Sequence, residues 1–235
     1  MTAYGSREPS RRNRSFLTAG EVEALAQATR PPHDVLVRFA AATGLRPSEL
    51  CGLRVGRMNL VRGSVEVSEA LTVVAGRTEV ARSRTACAAP CSCRGRCATS
   101  SGRHLAERTR QVGRPLQPDD FAFVAPEGVP LRRDLLHKRI FRPAVELAGL
   151  GPGLRVHDLR HTCASRLIGL GAHTKVIQEW LGHKSITVTI DVYGHLCPSL
   201  SEALAERLDE VLRQADVPPA PLPSTVIDLG SVRRT

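Results

Sequence analysis

Five side chains fall in a telling order along this chain: Arg46, His157, Arg160, His183 and Tyr193. They sit in four short strings: Thr43-Gly44-Leu45-Arg46-Pro47-Ser48-Glu49-Leu50, His157-Asp158-Leu159-Arg160-His161-Thr162, Leu181-Gly182-His183 and Tyr193-Gly194-His195. Two guanidiniums, two imidazoles and a phenol suit a site that grips a phosphodiester and attacks it with a tyrosine. A guanidinium fork donates paired hydrogen bonds to phosphate oxygens, and phosphoryl transfer is chiefly positioning and charge stabilisation. Arg46 and Arg160 are therefore the candidates to hold the non-bridging oxygens. His157 would orient or deprotonate the phenol, His183 would donate a further hydrogen bond, and Tyr193 would attack. The other tyrosine, Tyr4, lies in a polar leader. Because the arginines supply the positive charge, no metal and no other cofactor is expected. Plainer readings exist for each string alone. Arg46 could be a helix-end ion-pair partner, His157 and Arg160 a solvated face, and His183 a partner for a helix C-terminal dipole. His161 and His195 read as structural, and Trp180 and Leu181 as core.

The elements that must position these groups are mostly helical. Thr18-Ala19-Gly20-Glu21 is a capping box ahead of Val22, Leu25 and Ala26. A second helix is expected from His33 to Thr43, stopped by Gly44 at its C-cap, with Pro47 opening a short third one. Arg46 thus sits at a helix–helix turn. Between residues 53 and 75 the period changes, and Val65, Val67, Leu71, Val73 and Val74 suggest short strands with turns at Arg62-Gly63 and Ala75-Gly76. Residues 82–103 have no usable period, 104–112 suit a helix, and Phe121 to Val124 suit a short strand. Helices are expected over 131–148, over 157–169 with His157 and Arg160 on one face, before Gly182, up to Tyr193, and over 200–213. Residues 1–15, with four arginines, read as a disordered basic arm or linker remnant, and residues 214–235 as a flexible tail.

The 235 residues suffice for a hydrophobic core. A net charge of +10 favours a polyanionic partner. Of 33 basic side chains only Lys138, Lys175 and Lys184 are lysine, a bias that GC-rich coding DNA would also produce. No apolar run approaches the roughly 20 residues of a membrane helix, and no leader resembles a signal peptide, so a cytoplasmic location is expected, with no membrane partner and no small-molecule substrate.

The four strings, in this order and spacing, closely resemble the tyrosine recombinase (phage integrase) family, over roughly Phe16 to Leu212. The resemblance implies a mainly α (α+β) fold, a helical integrase-type catalytic domain over 16–213 with a small antiparallel β-sheet. It implies site-specific DNA cleavage and rejoining through a 3′-phosphotyrosine on Tyr193. In that scheme Arg46 and Arg160 bind the scissile phosphate, His157 is the general base, His183 contacts the phosphate, and Glu49 buttresses Arg46. Double-stranded DNA is the implied partner, bound by a homo-tetramer. Rival readings are a non-catalytic DNA-binding remnant of an integrase, a type IB topoisomerase using similar groups, and a zinc-bearing adaptor.

Two departures bear on activity. The family carries a separate N-terminal DNA-binding domain, whereas the pattern here begins near residue 16, so weak DNA affinity is expected unless a partner supplies the other half. The family also places a catalytic lysine on a β-hairpin between the first arginine and the histidine motif. Here no lysine precedes Lys138. Arg82 and Arg84 fall near that position and are expected DNA contacts, but a guanidinium with a pKa above about 12 is a poor proton donor. Loss of a general acid typically costs roughly 10²–10⁴ in rate, so weak activity or none is expected. An irregular, Cys- and Arg-rich insert at 82–103 replaces the hairpin sequence. Its Cys87, Cys91, Cys93 and Cys97 have spacing unlike the usual paired zinc ligands. Read one base early, codons for Ala88 to Arg94 can spell Arg-Thr-Val-Leu-Leu-Pro, which resembles the family's strand after the lysine; the nucleotide sequence decides whether this is an out-of-frame patch.

Overall fold

A computed structural model describes residues 16–74, 76–89, 95–193 and 200–215. Helix α1 (Ala19–Ala28) opens on the expected capping box, with the Thr18 hydroxyl accepting from the Glu21 amide and the Glu21 carboxylate accepting from the Thr18 amide. Helix α2 (Asp34–Thr43) ends at Gly44, whose φ of 68° lies in the left-handed region that glycine enters without steric cost. Three residues later α3 (Pro47–Gly52) begins, with Pro47 in its first turn. The resulting corner buries Leu36, Phe39, Leu50 and Cys51 and leaves Arg46 at its outer edge.

A three-stranded antiparallel sheet follows, formed by β1 (Met58–Asn59), β2 (Ser64–Val74) and β3 (Arg77–Ala89). This corrects the expectation for 82–103. Strand β3 runs through Arg82 to Ala89, pairing Glu69 with Arg82 and Val65 with Ala89 across a register shift between Val67 and Glu69. Helix α4 (Arg96–Val112) then takes up the rest of that stretch. Cross-strand pairing overrides low local β-propensity, which a reading of one strand alone misses. Cys91 and Cys93 lie outside the described residues, as do 1–15 and most of the tail.

The expected strand at Phe121–Val124 is also corrected. It makes only the isolated bridges Arg54↔Phe121 and Val124↔Pro130. Its carbonyls are taken by side chains instead: His104 Nε2 bonds the Ala122 oxygen at 2.8 Å, Arg108 donates to Phe121, and His33 Nε2 bonds Val124 at 2.9 Å. The His104 ring also stacks on Phe123. Backbone satisfied this way has no need of a ladder partner.

The expected helix at 131–148 is present with a local change of pitch. A short α5 (Arg133–Leu135) passes into a π-helical turn (Leu136–Phe141) and then α6 (Arg142–Leu147). Next come α7 (Asp158–Gly169), α8 (Thr174–Leu181) and α9 (Ile186–Tyr193). The main core gathers α1 to α3, β2, residues 121–125 and α6; a second cluster holds Ala164, Ile168, Ile177, Leu181 and Tyr193. Helix α10 (Leu200–Ala215) belongs to a separate unit that starts at Cys197 and carries Leu208, Val211 and Leu212 exposed. No helix among the described residues is long and apolar enough to cross a membrane.

Gly44 couples the corner to the second cluster. A methyl group there would lie 2.7 Å from Leu181 Cδ2 and 3.2 Å from Cys163 Sγ. Gly44→Ala combines that clash with a left-handed backbone costing about 1–2 kcal/mol, so a fall of roughly 5 °C or more in Tm is expected. An unchanged melting curve by circular dichroism would show that this packing is not needed.

Candidate active site

Arg160 is the anchor of the site. It lies on the first turn of α7 and is 3% exposed. Its guanidinium donates to the Gly44 carbonyl at 2.7 Å and to the Leu181 carbonyl at 2.6 Å. The second of these is an end-of-helix carbonyl of α8, a group with no partner inside its own helix. Arg46 reaches the next carbonyl, Gly182, at 3.3 Å. Two guanidiniums thus converge on the negative end of α8.

The two arginines differ in how their charge is matched. Arg46 pairs with Glu49 at 2.7 Å, and the same carboxylate accepts from the Arg46 amide at 2.9 Å. Glu49 is nearly fully buried, so the pair fixes the arginine from behind. Arg160 is held by neutral carbonyls, which orient a charge without cancelling it. Burial, and then the neighbouring Arg46, bring its pKa down to about 10. A buried cation in this state favours an anion beside it.

The rest of the His157–Thr162 string is used residue by residue. His157 caps α7, and its ring meets His161 edge-on at 4.9 Å. The Asp158 carboxylate accepts from the Arg155 amide, Leu159 is core, and the Thr162 hydroxyl accepts from the Leu17 amide at 3.1 Å. His161 and the Tyr193 hydroxyl share a hydrogen bond of 2.7 Å through Nδ1. Tyr193, at the last residue of α9, is 2% exposed, and its ring lies near-parallel to His183 with centroids 6.4 Å apart. His183 follows the left-handed Gly182 that ends α8 and shares a 2.8 Å bond with Thr189 through its own Nδ1.

Arg46, His157, Arg160, His183 and Tyr193 are therefore brought together, with Glu49 behind Arg46. Arg82 is exposed on β3, opposite Glu69. Arg84 lies on the same strand, its side chain outside the described residues. His195 also lies outside them.

All of these residues up to Tyr193 fall inside a single match to the sequence profile of the phage integrase family, which covers residues 15–199. The chain belongs to the phage integrase family. Among its relatives, the ICEBs1 integrase of Bacillus subtilis is 40% identical over 83 residues, 35% of this chain and 22% of that protein. Tyrosine recombinase XerD of Lacticaseibacillus casei is 28% identical over 202 residues, 83% of this chain and 63% of that protein. The chain thus spans less than two thirds of the length of either relative. Among solved structures, the Tn1549 transposon integrase in complex with transposon right end DNA aligns with a TM-score of 0.68 at 23% identity, over 87% of this chain and 68% of that one. The XerA recombinase aligns with a TM-score of 0.57 at 22% identity, over 84% and 65%. The fold is that of the integrase catalytic domain.

Within this family member, a cleft of about 480 Å³ opens beside the site, lined by Pro47, Arg133, His137, Lys138, Arg155 and His157 among others. Lys138, expected simply in a helix, stands on the π-helical turn at this cleft. His161 is the residue that sequence reasoning set aside. Its signal was present: it lies one helical turn beyond His157, a spacing that puts both rings on one face of α7.

The imidazoles sit in a cationic, partly buried setting. Burial and then Arg160 hold His157 below its ordinary value; burial, Arg160 and Arg46 bring His183 down to about 4. An unfolded histidine titrates near ~6.5, so the unfolded chain binds more protons between the two values. The contribution of His183 to stability is complete above ~6.5 and is lost as pH falls toward 4. Urea midpoints should drop from pH 7 to pH 5, and less steeply in His183→Gln, with a residual slope from His157. Equal slopes in both proteins would contradict this electrostatic picture.

Proposed function

We propose that the chain carries out site-specific DNA recombination, cutting and rejoining a strand through a 3′-phosphotyrosine on Tyr193. The observation that carries this reading is the buried Arg160 guanidinium, aimed by two carbonyls, with Arg46 on the carbonyl next to one of them and the Tyr193 ring beside His183, which follows that carbonyl. In this reading a scissile phosphate binds between Arg46 and Arg160, which share its negative charge. His183 donates to a non-bridging oxygen, and the resemblance gives the general base role to His157. Glu49 keeps Arg46 facing the phosphate. The basic excess and the exposed Arg82, with Arg84 on the same strand, suit contacts to duplex DNA. Integration or excision of a mobile element by a DNA-bound tetramer is the form of the reaction that family membership supports.

No lysine stands on the β2–β3 hairpin, which favours a slow enzyme and gives weight to a second reading, a non-catalytic DNA-binding protein that keeps the fold. Nicked duplexes tiling the DNA on either side of the gene, scored for an SDS-stable protein–DNA adduct, separate the two. Adduct is expected with the native chain and absent in Tyr193→Phe, and Arg160→Ala should slow its formation by roughly 10²–10³. Adduct that survives in Tyr193→Phe refutes the tyrosine mechanism, and binding without adduct across the whole set selects the second reading.

A 5′-bridging phosphorothiolate at the cleavage position makes a leaving group that needs no proton. If the missing lysine limits the rate, this substitution should accelerate adduct formation by about 10² or more. No acceleration would mean that another group already protonates the leaving oxygen.

A further inference from the structure

We propose that Thr189 is a positioning residue for His183: its hydroxyl donates to Nδ1, keeps the proton of the neutral ring on Nε2, and so presents that nitrogen as a donor to the scissile phosphate. This rests on the phosphotyrosine reading above and deepens it by naming what sets the donor at His183.

Helix α9 turns a hydroxyl inward and its isoleucines outward. Ile186, Val188 and Ile190 are exposed, whereas Thr189 is 2% exposed. That inverts the ordinary order, in which isoleucine and valine are buried and threonine faces water. A buried hydroxyl is expected to be hydrogen bonded, and Thr189 Oγ1 lies 2.8 Å from His183 Nδ1. The start of α9 is set by Ser185, whose hydroxyl accepts from the Thr187 amide at 3.1 Å. Thr189 and Tyr193 are four residues apart on this helix and share a face. The His183 ring touches that face twice, through the Thr189 hydroxyl and through its near-parallel approach to the Tyr193 ring.

The main chain of His183 is held from the other side, by α8. Its amide donates to the Gln178 carbonyl at 2.9 Å, and its carbonyl accepts from Gln178 Nε2 at 3.1 Å. Those bonds fix where the side chain begins but not how the ring is turned. The contact with Thr189 supplies that orientation.

The direction of this bond decides what His183 can do. A neutral imidazole carries one proton, and the nitrogen that keeps it is set by the partner of the other. Burial, with Arg160 and Arg46 acting on the ring, holds it neutral near pH 7. Were Nδ1 to donate to threonine, Nε2 would carry only a lone pair, which phosphate oxygens repel. With threonine donating, Nε2 carries the proton. The two nitrogens lie on different flanks of the ring, so fixing Nδ1 on Thr189 turns the Nε2 donor away from that contact.

Two readouts test this. Imidazole ¹⁵N shifts of the DNA-free chain at about pH 7 should show His183 protonated on Nε2 and bare on Nδ1. Thr189→Val keeps the branched shape and drops the hydroxyl, and it should move the ring toward a mixture of tautomers. A proton resident on Nδ1 in the native chain overturns the proposal, as does an unchanged spectrum in Thr189→Val. The second readout is the single-turnover rate of adduct formation on the nicked duplexes at saturating protein. Thr189→Val should slow it by roughly 10–10², the usual cost of losing the group that orients a working histidine, with DNA affinity within about threefold of native. Thr189→Ser restores the donor and should recover most of the rate. In a His183→Ala background the valine change should cost less than about threefold more, because its effect passes through the ring. An equal loss in both backgrounds would make Thr189 a packing residue and overturn the assignment, as would a Thr189→Val rate within about threefold of native. No adduct from the native chain overturns the phosphotyrosine reading and with it this use of the Nε2 proton; a spectrum at odds with the expected tautomer overturns the Thr189 assignment alone.

Discussion

The buried Arg160 side chain joins three parts of the molecule that are far apart in sequence. Its own position on α7, the Gly44 corner between α2 and α3, and the Leu181 end of α8 meet at one guanidinium. Each of the two carbonyls is a helix-end group in want of a donor, and the arginine provides both. The bare glycine at position 44 is what permits the close approach of Leu181 and Cys163 there. Arg46, Gly182 and His183 are placed by the same junction, because they directly follow the two carbonyls it fixes.

This junction also sets the electrostatics. Burial, and then the positive charge of this guanidinium, depresses the neighbouring imidazoles. The Glu49 carboxylate tempers this at Arg46 but accepts from the first-turn backbone of its own helix as well, so it is committed to structure. The result is a site of mixed character, in which one arginine is ion-paired and the other is held by backbone carbonyls.

Much of this was legible in the linear chain. The capping box at Thr18, the left-handed stop at Gly44 and the proline start at Pro47 are local signals, and they appear where their chemistry requires. The strings around Arg46 and His183 were legible for a related reason: each combines a polar group with the glycine turn that aims it. What was not legible depends on partners distant in sequence. Strand β3 owes its length to β2, and the carbonyls of residues 121–124 are satisfied by α4 and His33 rather than by a sheet. The π-helical turn at Lys138 leaves no periodic signature in so short a run. His161 read as structural because its contact with Tyr193 is set by where α9 returns to α7, a tertiary fact that helical spacing alone only hints at.

Tyr193 serves two masters. Its ring is a wall of the small apolar cluster with Ile168, Ile177 and Leu181, while its single oxygen faces the histidines. Wall and polar contact therefore differ by one atom: replacing the tyrosine by phenylalanine removes the oxygen that meets His161 and leaves the ring that packs against Ile168, Ile177 and Leu181.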